Sequence, residues 1–133
     1  MRAVPVLKLT GYTRGGAEAK RAFSQALMRG LQEYGFIVLK EHSVSTELLA
    51  HAYALAAQVF DLDVAIKKRY AAGMRGYTPF GVEHAKDNAH PDLKEFWQIG
   101  HDAPGFADNV WPAEVPDFKA TYQDLFARLN ETG

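Results

Sequence analysis

The residues best suited to hold a small molecule lie in segment 75–83, Arg-Gly-Tyr-Thr-Pro-Phe-Gly-Val-Glu. A guanidinium can hold a carboxylate through two parallel charged hydrogen bonds, so Arg75 is a candidate anchor for an acidic substrate or co-substrate. Aromatic rings can wall a cleft, and glycine lets backbone approach a ligand. The pattern predicts a substrate-binding set that comprises Arg75, Tyr77, Thr78 and Phe80.

Structural alternatives remain open for the same residues. Arg75 could form a surface ion pair with Glu83 or Asp87, and the aromatic rings could pack beneath the glycine-rich loop. Glu83 with His84 could transfer a proton on geometry alone, but the sequence identifies no third group to orient them.

His90 and Asp92 form a His-x-Asp pair, and His101 follows as a possible third ligand, so the sequence contains one candidate metal site. A facial triad needs rigid strands to present its ligands, whereas Pro91 interrupts a stretch that is typical of a loop. We therefore predict a turn here, with no metal site and no catalytic residue in the chain. A small metalloenzyme that uses His84, His90 and His101 is the lowest-ranked alternative.

Periodic apolar patterns define the elements that must position these residues. Helices are predicted over 17–34 with a left-handed cap at Gly35, from an N-cap at Ser45 through Phe60 with Tyr53 among its apolar residues, from Asp63 through Tyr70, and after Pro112. Strands are predicted over 4–9, over 36–39 as a run buried on both faces, and over 96–99. Residues 11–16 and the segment after Gly73 are predicted to be irregular.

Charged and aromatic side chains near these elements have simpler predicted roles. Lys67 to Arg69 should lie near a helix C-terminus, where cations complement the helix dipole, and Lys94 and Glu95 should form solvent ion pairs that flank a strand. The predicted core or interface aromatics are Phe96, Trp97, Trp111 and Phe118.

Composition sets broad limits on the class of protein. The 133 residues are 47% hydrophobic and 23% charged, which argues against disorder, and a net charge of −1 does not favour nucleic acid or an anionic membrane. The absence of cysteine excludes disulfides and a cysteine nucleophile. No apolar run suits a signal peptide or a membrane span, so a cytoplasmic protein with a single α+β domain over residues 1–133 is predicted.

Several short motifs are weak signals of a protein family when taken singly, but their order along the chain makes the series a strong one. They are Val4–Leu9, Tyr34–Leu39 with His42, Phe60-Asp-Leu62, Lys67–Tyr70, Arg75-Gly-Tyr77, Lys94-Glu-Phe96 and Asn109-Val-Trp-Pro112. This series resembles the N-terminal region of the isopenicillin N synthase-like iron(II)/2-oxoglutarate-dependent oxygenases. Two positions depart from the pattern: Ser43 replaces a usual glycine, and Met74 lies where the synthase has its arginine.

The resemblance implies a mainly helical N-terminal domain with about three short strands that would complete a C-terminal jelly roll, or double-stranded β-helix, absent from this chain. That jelly roll, in cis or in trans, is the implied partner and carries the iron ligands. In the full-length parent, an oxidoreductase acting on a small molecule, Fe(II) and 2-oxoglutarate are implied. The chain alone is expected to be an inert fragment that binds no cofactor, because the iron ligands are missing. Its implied role is to shape the substrate pocket, since an arginine just before the Gly-Tyr pair contacts substrate in isopenicillin N synthase-like members.

A different class of function also fits the pattern. The chain could be a standalone binding or interaction module that has lost the enzyme. In that case an exposed strand edge, at 4–9 or 96–99, could pair with another chain or with a second copy of this one.

Overall fold

A computed structural model describes residues 3–83, 90 and 93–133. The chain divides into two compact units, Met1–Ser45 with Ala127–Gly133, and Thr46–Phe126. The elements in chain order are β1 (Val6–Lys8), α1 (Thr10–Thr13), α2 (Ala17–Tyr34), β2 (Val38–Lys40), α3 (Thr46–Phe60), α4 (Val64–Lys68), β3 (Ala71–Ala72), β4 (Arg75–Thr78), β5 (Phe96–Gln98) and α5 (Asp117–Thr132). Within the described residues, no helix is long and apolar enough to cross a bilayer. The assignment of all 133 residues to one domain stays a prediction.

The first unit is built on a parallel pair of short strands. Leu7 of β1 lies opposite Leu39 of β2, and both are partly buried, whereas Val6 and its partner Val38 are 52% and 41% exposed. The prediction that the second strand is buried on both faces is therefore wrong. Successive side chains of a strand point to opposite faces, and only one face of this pair is covered within the unit.

The long helix of this unit confirms its predicted bounds. The helix α2 ends at Gly35, which has a left-handed φ of +78° and donates its backbone N–H to the carbonyl of Leu31. One turn before the end of the helix, Gly30 is buried, and a Cβ there would come within 2.5 Å of the Cγ2 atom of Ile37. Glycine at this position therefore lets the helix approach the segment that leads into β2.

A one-turn helix replaces part of the irregular segment predicted over residues 11–16. This helix, α1, begins at Thr10, whose hydroxyl donates a hydrogen bond to the carboxylate of Glu41. Glu41 follows β2 in the left-handed region, with φ of +59°, and its carboxylate also lies 3.2 Å from Nζ of Lys8. The Thr10 hydrogen bond first, and then Lys8, lower the pKa of Glu41.

The core of the second unit lies where α3 packs against the first part of α5. Its buried members are Leu55, Val59, Val115 and Phe118, with Leu62, Trp97, Ile99, Trp111 and Tyr122 packed against them. Three of the four predicted core aromatics are thereby confirmed; Phe96 lies outside this cluster. Tyr53, one of the apolar residues of the predicted second helix, is 75% exposed. The predicted cap at Asp63 is confirmed, because its carboxylate accepts the backbone N–H of Ala65 at 2.8 Å.

A second sheet forms in the segment predicted to be irregular. Three antiparallel strands pair in the order β3-β4-β5, so the described chain has five strands rather than about three. Ala71 lies opposite Gly76, and Gly76 lies opposite Gln98. Gly76 takes a left-handed φ of +71°, and a Cβ there would overlap the backbone carbonyl oxygen of Tyr70. Glycine is therefore required at the centre of β4.

This requirement predicts a graded loss of stability. Gly76→Ala should destabilise the chain by about 3 kcal/mol, because strain at positive φ adds to steric overlap with backbone. Gly73→Ala is the matched control: Gly73 has a φ of +64° but open space around its Cα, so only the conformational cost of about 1 kcal/mol applies. Urea unfolding followed by circular dichroism measures both values. Equal losses in the two variants would contradict the role assigned to Gly76.

Candidate functional site

The pairing of β4 with β5 assigns the predicted site residues to two faces of the sheet. Tyr77 lies opposite Trp97, and Thr78 lies opposite Phe96. Residues directly opposed in an antiparallel pair share a face, and neighbours along a strand alternate. The face of Tyr77 is buried, since Tyr77 is 2% exposed and Trp97 lies 5.8 Å from the ring of Phe118. Thr78 therefore belongs to the opposite, more open face.

A buried ion pair holds the Tyr77 face in place. Lys67 is 4% exposed, and its Nζ lies 2.9 Å from Oε2 of Glu95 and donates to the carbonyl of Phe60 at 2.7 Å. The hydroxyl of Tyr77 donates to the same Oε2 atom at 2.5 Å, and Nζ lies 5.5 Å from the Tyr77 ring centroid. A buried charge is tolerated when it is paired and hydrogen-bonded, and this arrangement meets both conditions.

One prediction about these charged residues is confirmed and one is wrong. Lys67 and Lys68 lie in the last turn of α4, as predicted, although the Lys67 ammonium group is buried and paired with Glu95. Glu95 is accordingly partly buried rather than part of a solvent pair. Lys94 does form such a pair, with its Nζ 2.8 Å from Oε2 of Glu83. The two neighbours in sequence thus have opposite environments, as expected from the alternation of side chains near a strand.

Arg75, at the start of β4, has no carboxylate partner among the described residues. Its Nη1 donates to the carbonyl of Met74 at 3.0 Å, and its buried Nε has no hydrogen-bond acceptor in the part of the chain that the structure describes. The first suggested partner, Glu83, is instead paired with Lys94. The second, Asp87, lies outside the described residues.

The guanidinium of Arg75 lies against a glycine. A Cβ on Gly100 would come within 2.9 Å of Nε and closer still to Cζ and Nη2. The backbone of Gly100 is itself fixed by Asn109, whose amide nitrogen donates to the Gly100 carbonyl at 2.9 Å and whose amide oxygen accepts the Gly100 N–H at 2.9 Å. We call Gly100 and Asn109 the glycine platform.

The remaining predicted site residue lies beyond the end of β4. Phe80 is 56% exposed, and Thr78 is partly buried. Phe96, opposite Thr78, is partly buried and carries the Lys94 ammonium 5.4 Å from its ring centroid. The open face therefore combines an aromatic surface, a hydroxyl and a cation, whereas Tyr77 supports it from the buried side.

A cavity of about 650 Å³ lies elsewhere, within the first unit. It is lined by Leu9, Thr10, Tyr12, Thr13, Arg14, Glu41, His42, Ser43, Glu131, Thr132 and Gly133. None of the four predicted site residues lines it, so the cavity and the predicted site are separate features.

Comparison with known proteins decides the family. A profile of the family described as "non-haem dioxygenase in morphine synthesis N-terminal" matches residues 4–114. The chain belongs to this dioxygenase N-terminal family. Its motifs from Val4–Leu9 to Asn109–Pro112 lie within the matched range, so the resemblance drawn from the sequence is confirmed.

Solved structures support the same assignment. A 2OG-Fe(II) oxygenase family protein from Caulobacter crescentus is 39% identical, with a TM-score of 0.80 over 100% of this chain and 46% of that one. A full-length Neurospora crassa protein, solved in complex with alpha-KG and thymine, is 26% identical, with a TM-score of 0.81 over 97% of this chain and 44% of that one. The 2-oxoglutarate-dependent dioxygenase ucsF of Acremonium sp is 26% identical over 96% of this chain and 43% of its own length. The chain therefore spans less than half the length of these relatives.

The described residues of this dioxygenase N-terminal domain do not fit the iron centre that the family implies. Within residues 3–83, 90 and 93–133, no three His, Cys, Asp or Glu side chains converge as metal ligands. His90 and His101 are exposed, whereas His84 and Asp92, the remaining members of the suggested sets, lie outside the described residues. No chemical step through iron is therefore assigned to these side chains.

Sequence reasoning missed three residues that shape the site of this domain. Lys67 and Glu95 are 28 positions apart, and nothing local marks them as a pair. Gly100 has no motif of its own either. The available signal was the Lys94-Glu-Phe96 match, which drew attention to Glu95 without revealing its partner.

The buried pair predicts a strong contrast between two neighbouring carboxylates. Glu95→Gln should lower the free energy of unfolding by about 3 kcal/mol, because it leaves the buried Lys67 ammonium without a counter-charge. Glu83→Gln is the control, and losing its exposed pair with Lys94 should cost less than about 1 kcal/mol. Urea unfolding at neutral pH measures both. Similar small losses in the two variants would show that the Lys67–Glu95 pair contributes no more to the free energy of unfolding than an exposed ion pair does.

The phenol of Tyr77 predicts an alkaline loss of stability. Burial, followed by the hydrogen bond to Glu95 and its charge, raises the pKa of Tyr77 from 10.0 to about 12. Because the folded-state pKa is the higher one, this contribution is complete below pH 10 and is lost as the pH rises towards 12. Tyr77→Phe should therefore flatten the decline of unfolding free energy over this range. Tyr53→Phe, at a residue 75% exposed, should leave the decline as in the unmodified chain.

Proposed function

We propose that this chain is the N-terminal, substrate-pocket-shaping part of an iron(II)- and 2-oxoglutarate-dependent oxygenase that acts on a small molecule. The observation that carries the proposal is the family match over residues 4–114. In addition, almost the whole of this chain aligns with each of the relatives, but the aligned region is less than half of each relative's length. Those relatives include proteins named as 2-oxoglutarate-dependent dioxygenases.

In this proposal the partner of the chain is a jelly roll that supplies the iron ligands, in cis or in trans. We assign iron binding to the jelly roll and substrate contact to this chain because the described residues offer no metal-ligand set but do offer an open sheet face. When bound by the jelly roll, iron and 2-oxoglutarate would supply the oxidising chemistry. This chain would bind and orient the substrate, and alone it would be inert.

The proposed substrate wall consists of Arg75, Thr78 and Phe80, with Tyr77 as its support. Thr78 and Phe80 offer a hydroxyl and an exposed ring on or beyond the open face. Tyr77 is too enclosed, at 2% exposed, to contact a ligand without rearrangement. Its hydrogen bond to Glu95 instead fixes the strand on which Arg75 and Thr78 lie.

The exposed valines of β1 and β2 favour the second candidate, a standalone interaction module. Val6 and Val38 lie opposite each other and are 52% and 41% exposed, which leaves an apolar strip beside open strand edges. Such a module would self-associate or capture another chain by strand addition. It would need no iron partner.

The test begins with the source gene beyond the codon for Gly133. The proposal expects a reading frame that encodes a His-x-Asp pair and a distal His. In the presence of dioxygen, the longer product should then convert 2-oxoglutarate to succinate and CO2 only with ferrous iron, whereas the 133-residue chain should not. A stop codon with no such continuation, and no jelly-roll protein recovered with the chain, would contradict the oxygenase proposal and favour the interaction module.

A further inference from the structure

We infer that the cavity of the first unit binds a small zwitterion, a molecule that carries one ammonium group and one carboxylate. All the residues that line this cavity of about 650 Å³ belong to that unit. Its volume falls within the range of about 300–1,000 Å³ that is usual for small-molecule sites. Such a site needs neither iron nor a jelly roll, so it goes beyond the function proposed above.

Two opposite charges line the cavity without pairing with each other. The guanidinium of Arg14 directly follows α1, and the carboxylate of Glu131 belongs to α5. Neither group forms an ion pair with any residue that the structure describes. The second carboxylate of the cavity, Glu41, is already occupied, because the Thr10 hydrogen bond and Lys8 lower its pKa more than Arg14 does. A ligand with both charges can therefore neutralise the two groups that remain.

The threonine hydroxyls of the cavity leave hydrogen-bond acceptors for a ligand. Thr10 donates its hydroxyl hydrogen to the carboxylate of Glu41. The hydroxyls of Thr13 and Thr132 donate to backbone carbonyls one turn earlier, at 3.3 Å and 2.8 Å. A hydroxyl has one hydrogen to donate, so the lone pairs of these three oxygens are what remain. An ammonium group has three donors and no acceptor, and it therefore suits these oxygens.

Donors for the carboxylate end come from Arg14 and His42. Nδ1 of His42 accepts the backbone N–H of Val44 at 3.2 Å, so the hydrogen of the neutral imidazole is on Nε2. A guanidinium holds a carboxylate through two parallel charged hydrogen bonds, and the imidazole N–H supplies a further donor. The ring of Tyr12, 5.6 Å from that of Phe23, adds apolar surface for the carbon skeleton.

Titration with zwitterions and their single-charge analogues tests the site. Glycine, 4-aminobutyrate and 6-aminohexanoate are added to the ¹⁵N-labelled 133-residue chain at constant ionic strength, and the backbone amide signals are followed by NMR. We expect saturable shifts at residues 10–14, 41–43 and 131–133 with at least one of the three. The alkylammonium and the alkanoate of the same chain length should each bind at least about fivefold more weakly, because each lacks one ion pair.

Two variants assign the two ends of the ligand. Glu131→Gln should abolish the preference for the zwitterion over the alkanoate, and Arg14→Gln should abolish its preference over the alkylammonium. Both side chains are exposed, so the amide spectrum should remain that of the folded chain. The matched controls are Glu18→Gln and Arg21→Gln, at exposed positions of α2 outside the cavity lining, and both should bind the zwitterion as the unmodified chain does.

Specific outcomes overturn the zwitterion site. These are the absence of a saturable shift with all three zwitterions, equal affinity for a zwitterion and its single-charge analogues, an unchanged preference in a folded Glu131→Gln or Arg14→Gln variant, or equal weakening in the two control variants. The titration involves neither iron nor turnover. Its failure therefore leaves the oxygenase proposal standing, and a gene without an iron triad leaves a positive titration standing.

Discussion

The ammonium group of Lys67 is the single charge around which the second unit is arranged. It joins three separate stretches of chain, since it contacts the carbonyl of Phe60, the carboxylate of Glu95 and the ring face of Tyr77. Removing a cation from water is strongly unfavourable unless each of these groups is in place. The ion pair therefore acts as a constraint: the end of α3, the start of β5 and the middle of β4 must be brought together before Lys67 can be buried.

This constraint reaches the open face through the register of the sheet. Once Tyr77 is fixed opposite Trp97, the adjacent Thr78 must face the other way, and Arg75 must lie at the beginning of the same strand. Two cations of this unit are thus in opposite electrostatic states. Lys67 is fully compensated and inaccessible, whereas Arg75 is ordered mainly by packing against Gly100 and has no carboxylate partner among the described residues. Lys67 therefore stabilises the fold, whereas Arg75 keeps a charge that no described carboxylate neutralises.

The sequence predicted the helices well and the second sheet poorly, for a physical reason. The bounds of α2 and the cap at Asp63 depend on periodicity and on hydrogen bonds between near neighbours, which a short window of sequence contains. Strand β4 depends on Thr78 meeting Phe96 across a loop, and on a left-handed Gly76, so no local pattern marks it. The site shows the same division. Arg75 could be selected by its chemistry, but the burial of Lys67 and the role of Gly100 depend on distant partners.

The double hydrogen bond between Asn109 and Gly100 makes a side-chain amide behave as one more peptide group in the edge of the sheet. Only an amide can do this with both atoms, because it donates and accepts at once. An aspartate at position 109 would keep the acceptor for the Gly100 N–H but replace the donor with a second acceptor that faces the Gly100 carbonyl. The course of the backbone that packs against Arg75 therefore depends on a single side-chain nitrogen atom, the only difference between an amide and a carboxylate at this position.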